Sequence, residues 1–268
     1  MRHALRFSRK QLLIPYALFL LLFVIAPIGV ILYYAFTAPT GSFTFANFGK
    51  FFSETGYVTT LLYSVLLGVC TTALCLLIGY PIAYFLANSK YNKNVILVLL
   101  FIMPMWINFV LRATALRELF YMMGFRGKQG AFFKVLIGMV YDYLPFMILP
   151  LYTTMIKMDK SCIEASYDLG ANGFVTFFKT VIPLSMPGIV SGITMVFMPT
   201  MTCYVISDIF SEYTFSVLGK LIEERYAFNE WNFASAISMI LLAIIGIVMF
   251  FTRKFGDKDT NVRGGGLW

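Results

Sequence analysis

The chain has 268 residues, of which 59% are hydrophobic and only 13% charged. Soluble domains use roughly 25% charged residues, so a water-soluble globular protein is excluded. A net charge of +8 would suggest a nucleic-acid partner in a soluble protein. In a membrane chain, basic residues at helix ends instead meet anionic lipid head groups.

The first apolar stretch, about 13–36, follows Arg2, Arg6, Arg9 and Lys10. It exceeds the 7 to 15 residues of a signal-peptide core and precedes no A-x-A site, so it reads as an uncleaved span. Further apolar runs lie at about 58–87, 94–111, 135–156, 187–207 and 233–252. A hydrocarbon core of about 30 Å takes about 20 helical residues, and the runs lack the short alternating pattern of barrel strands. The expectation is an all-α integral membrane domain of six helices over 13–252, with an N-terminal tail at 1–12 and a C-terminal tail at 253–268. Thirteen of the 21 basic residues fall on the side that carries both termini. Cytoplasmic loops keep such an excess, which places both tails and the 157–186 loop in the cytoplasm.

The third run carries Trp106 and Asn108, candidates to line a passage, and Arg112, read as a helix-end or lipid-facing anchor. Asp142, between Tyr141 and Tyr143 in the fourth run, is a carboxylate at membrane depth and so a functional candidate. The alternative for it is an ion pair with Arg112 or Arg117 that only locks two helices.

Between the fourth and fifth runs lies a polar island, Glu164-Ala165-Ser166-Tyr167-Asp168-Leu169-Gly170, with Pro183 beyond it. Ser161 and Glu164 stand at capping-box spacing, and Gly170 turns the chain at low cost. Phe174, Phe177, Phe178 and Val181 form an apolar stripe on a second short helix that Pro183 would stop. Two stubs joined at a glycine make a knob by which a soluble motor could move the membrane domain.

At the end of the fifth run, Tyr204, Asp208 and Glu212 recur at i, i+4 and i+8 and would share one face of a continuing helix. From Asp208 to Trp231, five acids oppose Lys220 and Arg225, a field that concentrates cations. Cys70, Cys75 and Cys203 lie in spans and Cys162 in the inner loop, so no disulfide framework is expected. A single histidine, His3, offers no metal site and no nucleophile–base set. The chain carries no G-x-x-x-x-G-K-[ST] phosphate loop, so ATP is not hydrolysed here by that route.

Glu164, Ala165, Gly170 and Pro183 stand at the spacing of the loop of the membrane permeases of ATP-binding-cassette importers, a family this chain resembles. Ser166, Thr180 and Ile182 replace an alanine, an aliphatic and a leucine of that pattern. Gly79-Tyr80-Pro81, Pro104-Met105-Trp106-Ile107-Asn108, Leu144-Pro145-Phe146-Met147, Met186-Pro187-Gly188-Ile189 and Tyr204-Val205-Ile206-Ser207-Asp208 resemble the spermidine/putrescine permeases of the B type more closely.

The resemblance implies a type I importer permease with a cytoplasmic coupling helix, forming half a polyamine path in a bacterial inner membrane. It implies a second permease, an ATPase dimer that binds ATP and magnesium, and an extracytoplasmic binding protein, with no cofactor on this chain. Glu164, Ala165, Leu169, Gly170 and Phe174 would touch the ATPase. Tyr204, Asp208, Glu212, Asp142, Trp106 and Asn108 would line the path. Alternatives are the same machine with another cargo, such as an iron complex, an oxyanion or an amino acid, and a self-sufficient channel or secondary transporter.

Overall fold

The structure, a computed structural model, describes residues 9–88, 96–125, 127, 130–212, 214 and 216–256. Residues 1–8 and 257–268 of the two expected tails, and the basic residues Lys90, Lys93, Arg126 and Lys128, lie outside the described residues. Among the described residues the regular elements are helices, with one isolated antiparallel bridge between Thr37 and Phe43.

Among the described residues, four helices are long and apolar enough to cross a membrane: α1 (Pro15–Ala35), α3 (Thr55–Ala87), α6 (Ala131–Met155) and α12, whose apolar part is Trp231–Thr252. Between α1 and α3 lies the short α2 (Ala46–Ser53). The hydropathic window of α1 has no buried residue, as expected of a helix apolar on all sides in lipid. At 33 residues, α3 is about 50 Å long, well beyond the hydrocarbon thickness.

Two of the expected spans are not single rods. The third divides into α4 (Ile96–Trp106) and α5 (Phe109–Met122), bent by 94°. Pro104 lies in a 3-10 turn, Ile107 is extended, and Asn108 caps α5 by accepting from the Val110 N–H at 2.9 Å. A side-chain cap lets a helix start afresh where an uncapped break would strand its first N–H groups. The fifth span also ends early. Cys203 has ψ 90°, and its N–H closes on Pro199 O at 2.8 Å, so α9 (Met186–Thr202) stops and α10 (Tyr204–Ser211) begins anew. With each bent pair counted as one pass, up to six segments of the described residues are long and apolar enough to cross a membrane.

The chain falls into two units. One comprises the chain up to Val58 with Leu221–Ala243. In it Asn47 and Asn232 both donate to Thr37 O, at 3.1 and 2.6 Å, stitching the end of α1. Buried Phe51 stacks on Tyr57, and Tyr57 packs on Phe233. Lys50 lies 4.4 Å over the Phe233 ring and 4.0 Å from Glu230, which also pairs with Arg225 at 3.3 Å.

The other unit comprises Thr59–Lys220 and the segment from Ile244 onward. Its core lies where α3, α6 and α9 meet, and glycines set the spacing. A Cβ on Gly188 of α9 would stand 2.7 Å from Thr154 Oγ1 of α6, and one on Gly138 of α6 would clash with the edge of the Phe210 ring of α10. Small residues let membrane helices approach closely enough for dispersion to hold them, where lipid supplies no hydrophobic drive. Tyr80 of α3 bonds Ser185 at 2.8 Å. That contact fixes the 65° bend between α8 (Gly173–Leu184) and α9.

Candidate functional site

The polar island folds as two short helices, α7 (Lys160–Asp168) and α8. The cap of α7 is Asp159, whose Oδ1 accepts from the Ser161 N–H at 3.0 Å, and not the expected Ser161–Glu164 box. The helix starts two residues earlier because Asp, too, is a strong N-cap. Gly170 turns with φ +82°, as its lack of a side chain allows. Asn172 then caps α8, accepting from the Val175 N–H at 2.8 Å. A 3.1 Å bond between Ser166 Oγ and Thr176 Oγ1 joins the two stubs.

Pro183 does not end α8, which runs on to Leu184. It follows a π turn, Phe177–Val181, and sits in the first turn of the last helical segment, where a missing N–H is tolerated. The same π turn divides the expected stripe. Phe177 packs edge-on between Tyr80 and Tyr84, and Val181 is buried. Phe174 and Phe178 pack together as tilted rings, with centroids 4.7 Å apart, and stay exposed. Leu169 at the tip is 90% exposed and Phe174 is 74% exposed. Glu164 and Ala165 are exposed as well. Glu164 lines a cavity of about 460 Å³ with Tyr84, Met155, Lys160 and Tyr167.

Three of the expected path residues meet at a second place. Trp106, Asn108 and Asp142 line one cavity of about 360 Å³, together with Arg112, Tyr143 and Phe146. Asp142 is 2% exposed and Arg112 8%, and Arg112 Nη2 stands 2.9 Å from Asp142 Oδ1. The reading of Arg112 as a lipid-facing anchor is therefore corrected. An unpaired guanidinium in hydrocarbon is costly, and the α4–α5 bend carries Arg112 onto α6, where a carboxylate waits. Arg117 pairs with Glu118 at 2.8 Å.

Tyr204, Asp208 and Glu212 share a third cavity, of about 390 Å³, with Val110, Thr114 and Arg117. They do so without the continuing helix. α10 ends at Ser211, and Glu212 takes a left-handed turn at φ 49°. Lys220 Nζ stands 3.4 Å from Asp208 Oδ2 and 5.1 Å from the Tyr204 ring centroid. Glu212 accepts from the Tyr121 hydroxyl at 2.9 Å and faces Lys134 at 3.7 Å. Each of the three candidate acids thus has a basic partner from another element. Lys134 and Tyr121 reach Glu212 across long stretches of chain that no local spacing reveals, and the sequence sets Lys220 against the nearby acids without pairing it to Asp208.

Residues 76–261 match the family described as the binding-protein-dependent transport system inner membrane component. The chain belongs to this family. As an inner membrane transport component it is 32% identical over 222 residues to the spermidine/putrescine transport system permease protein PotB of Escherichia coli (strain K12), covering 77% of this chain and 80% of that one. The protein of the same name in Haemophilus influenzae is 30% identical, covering 86% and 88%. The PotB homolog of Mycoplasma genitalium is 28% identical, covering 95% and 94%.

Among solved structures, a bacterial ABC transporter involved in the import of the acidic polysaccharide alginate matches with a TM-score of 0.68 at 15% identity, covering 94% of this chain and 95% of that one. The alginate transporter in complex with its alginate pentasaccharide-bound periplasmic protein matches at the same TM-score and 13% identity, covering 96% of both. The all-helical permease fold expected from the sequence is borne out by these likenesses.

Proposed function

We propose that this chain is one half of the translocation path of an ATP-driven importer, and that its cargo is a polyamine. The observation that carries the cargo is 30 to 32% identity, over more than three quarters of the chain, to permeases named for spermidine and putrescine. Fold alone chooses no cargo, since the alginate transporters share it. The chemistry of the cavities agrees with a cation. Asp208 already holds an alkylammonium, that of Lys220, under the Tyr204 ring. An oxyanion path would need donors where Asp142, Asp208 and Glu212 stand.

The chain works with a second permease, a pair of ATPase subunits that bind ATP and magnesium, and an extracytoplasmic receptor. It has no cofactor of its own. Both termini and the α7–α8 knob face the cytoplasm, and anionic lipids meet the basic residues there. Exposed Leu169 and Phe174 at the tip of a folded knob are a surface for the ATPase, with Glu164, Ala165 and Gly170 shaping it. ATPase closure pushes the knob. Because Tyr80, Tyr84 and Ser185 join it to α3 and α9, the spans move with it.

The test is genetic. A strain unable to make or take up polyamines receives this chain with its neighbouring transport genes. Growth on micromolar spermidine or putrescine supports the reading. Absence of growth, with all the subunits found in the membrane, rejects polyamine as the cargo.

A further inference from the structure

Arg112 of α5 and Asp142 of α6 are buried yet incompletely bonded. Their charged atoms stand 2.9 Å apart. Even so, Arg112 Nε and Nη1 and both Asp142 oxygens have no hydrogen-bond partner among the described residues. The contact brings the charges together without aligning an N–H on the carboxylate. A pair that serves only to lock helices gains most from two parallel N–H···O bonds. A half-satisfied buried pair is worse than an apolar contact, so unmet bonding capacity in a core calls for a reason.

That reason lies in front of the pair. Both residues line the 360 Å³ cavity, whose walls include Trp106, Tyr143 and Phe146. A primary ammonium carries three N–H donors and no acceptor. Carboxylate oxygens with open lone pairs, beside aromatic faces, are what it binds. The pair alone could draw either sign, and the aromatic faces of Trp106, Tyr143 and Phe146 favour the cation. A bare inorganic cation lacks the alkyl body that aromatic walls cover.

We propose that Asp142 receives one primary ammonium group of the cargo, and that Arg112 is the resident cation the cargo displaces. This rests on the polyamine reading above and assigns a station within it. Between cycles the guanidinium neutralises Asp142, so the path holds no bare carboxylate. When an alkylammonium enters, its N–H groups take the open oxygens and the guanidinium turns toward the Asn108 side of the cavity. The loose geometry of the resting pair keeps that exchange shallow.

Cys203 lines the same cavity and is a free thiol, so it reports on the station in the unaltered chain. The assembled complex is treated with 2-aminoethyl methanethiosulfonate, itself a primary ammonium, and with neutral methyl methanethiosulfonate. Peptide mass spectrometry follows Cys203. After correction for reactivity toward a free thiol, the ammonium reagent reacts about tenfold faster, the scale of one charged hydrogen bond, and spermidine slows it. Asp142→Asn abolishes both effects, and Arg112→Gln raises the ammonium rate.

Equal rates for the two reagents in the unaltered complex, or a rate that spermidine leaves unchanged, overturn the proposal whether or not the variants assemble. Uptake of labelled spermidine by the same complex separates the two readings. No uptake rejects the polyamine reading, whereas uptake with Cys203 indifferent to spermidine rejects the Asp142 station alone.

Discussion

Lys220 places its ammonium 3.4 Å from the Asp208 carboxylate and over the ring of Tyr204, so a basic side chain of the protein occupies the acid–aromatic ladder. Gly219 presses against the backbone of Thr202, leaving no room for a Cβ, and the Leu218 N–H donates to Ser64 Oγ at 2.8 Å. These contacts fix the start of α11 (Leu218–Ala227) and hold Lys220 at the ladder.

A resident ammonium competes with an incoming one. Lys220→Met therefore lowers the half-saturating cargo concentration about three- to tenfold, the scale of a partly exposed ion pair of about 1 kcal/mol. Asp208→Asn has the opposite effect and cuts uptake about tenfold or more. Concentration-dependent uptake of labelled spermidine into membrane vesicles measures both. An unchanged half-saturation in Lys220→Met would remove the competition.

At the knob, Leu169→Ser and Phe174→Ser alter exposed side chains, so they leave stability within about 0.5 kcal/mol. They nevertheless reduce the ATPase recovered with the complex and abolish ATP-driven uptake, with receptor binding retained. Gly170→Ala acts through the backbone, since φ +82° costs a residue bearing a Cβ about 1 to 2 kcal/mol. Co-purification and uptake are the readouts. Normal ATPase recovery with both serine variants would move the docking surface elsewhere.

Gly138→Ala overfills the α6–α10 contact, because the added methyl clashes with the edge of the Phe210 ring. The expected loss is about 1 to 3 kcal/mol, seen as a lower Tm of the purified complex in detergent. Phe210→Leu in the same chain restores part of it.

Asn108→Ala removes the cap of α5, at a cost of about 0.5 to 2 kcal/mol, while Asn108→Ser retains most of the stability. The bend positions Arg112 against Asp142. The alanine variant therefore also weakens the protection of Cys203 by spermidine, an effect that a cap acting on stability alone would not have.

The class of fold was legible in the sequence because lipid leaves few options. Runs of about 20 apolar residues must be helical, and the polar island between two of them stood out by contrast. Breaks were harder to read. Pro104 and Asn108 each have ordinary places in a membrane helix, and only the two together, with Ile107 extended between them, turn the chain by 94°. The π turn at Phe177–Val181 leaves no mark on local spacing, so the residues alone read as one continuous stripe.

The acids at 142, 208 and 212 were visible as costly residues in apolar surroundings. Of their partners, Arg112 was within reach as one of two arginines, with Arg117, that could pair with Asp142. Lys134 and Lys220 became partners through long-range packing, which periodicity does not encode. Glu212 reaches its place beside Asp208 by a left-handed turn after α10 ends, so it stands on the wall that helical spacing predicts by a different backbone route.

The most direct measurement is uptake of labelled spermidine into liposomes holding this chain, its companion permease and the ATPase pair, with the receptor supplied on the outer face. Accumulation is expected to require ATP and magnesium inside, to be lost without the ATPase, and to fall sharply when Leu169 and Phe174 are both replaced by serine. Accumulation by this chain in the absence of any ATPase, or ATP-driven uptake that persists with both replacements, would contradict ATP-driven import through the knob.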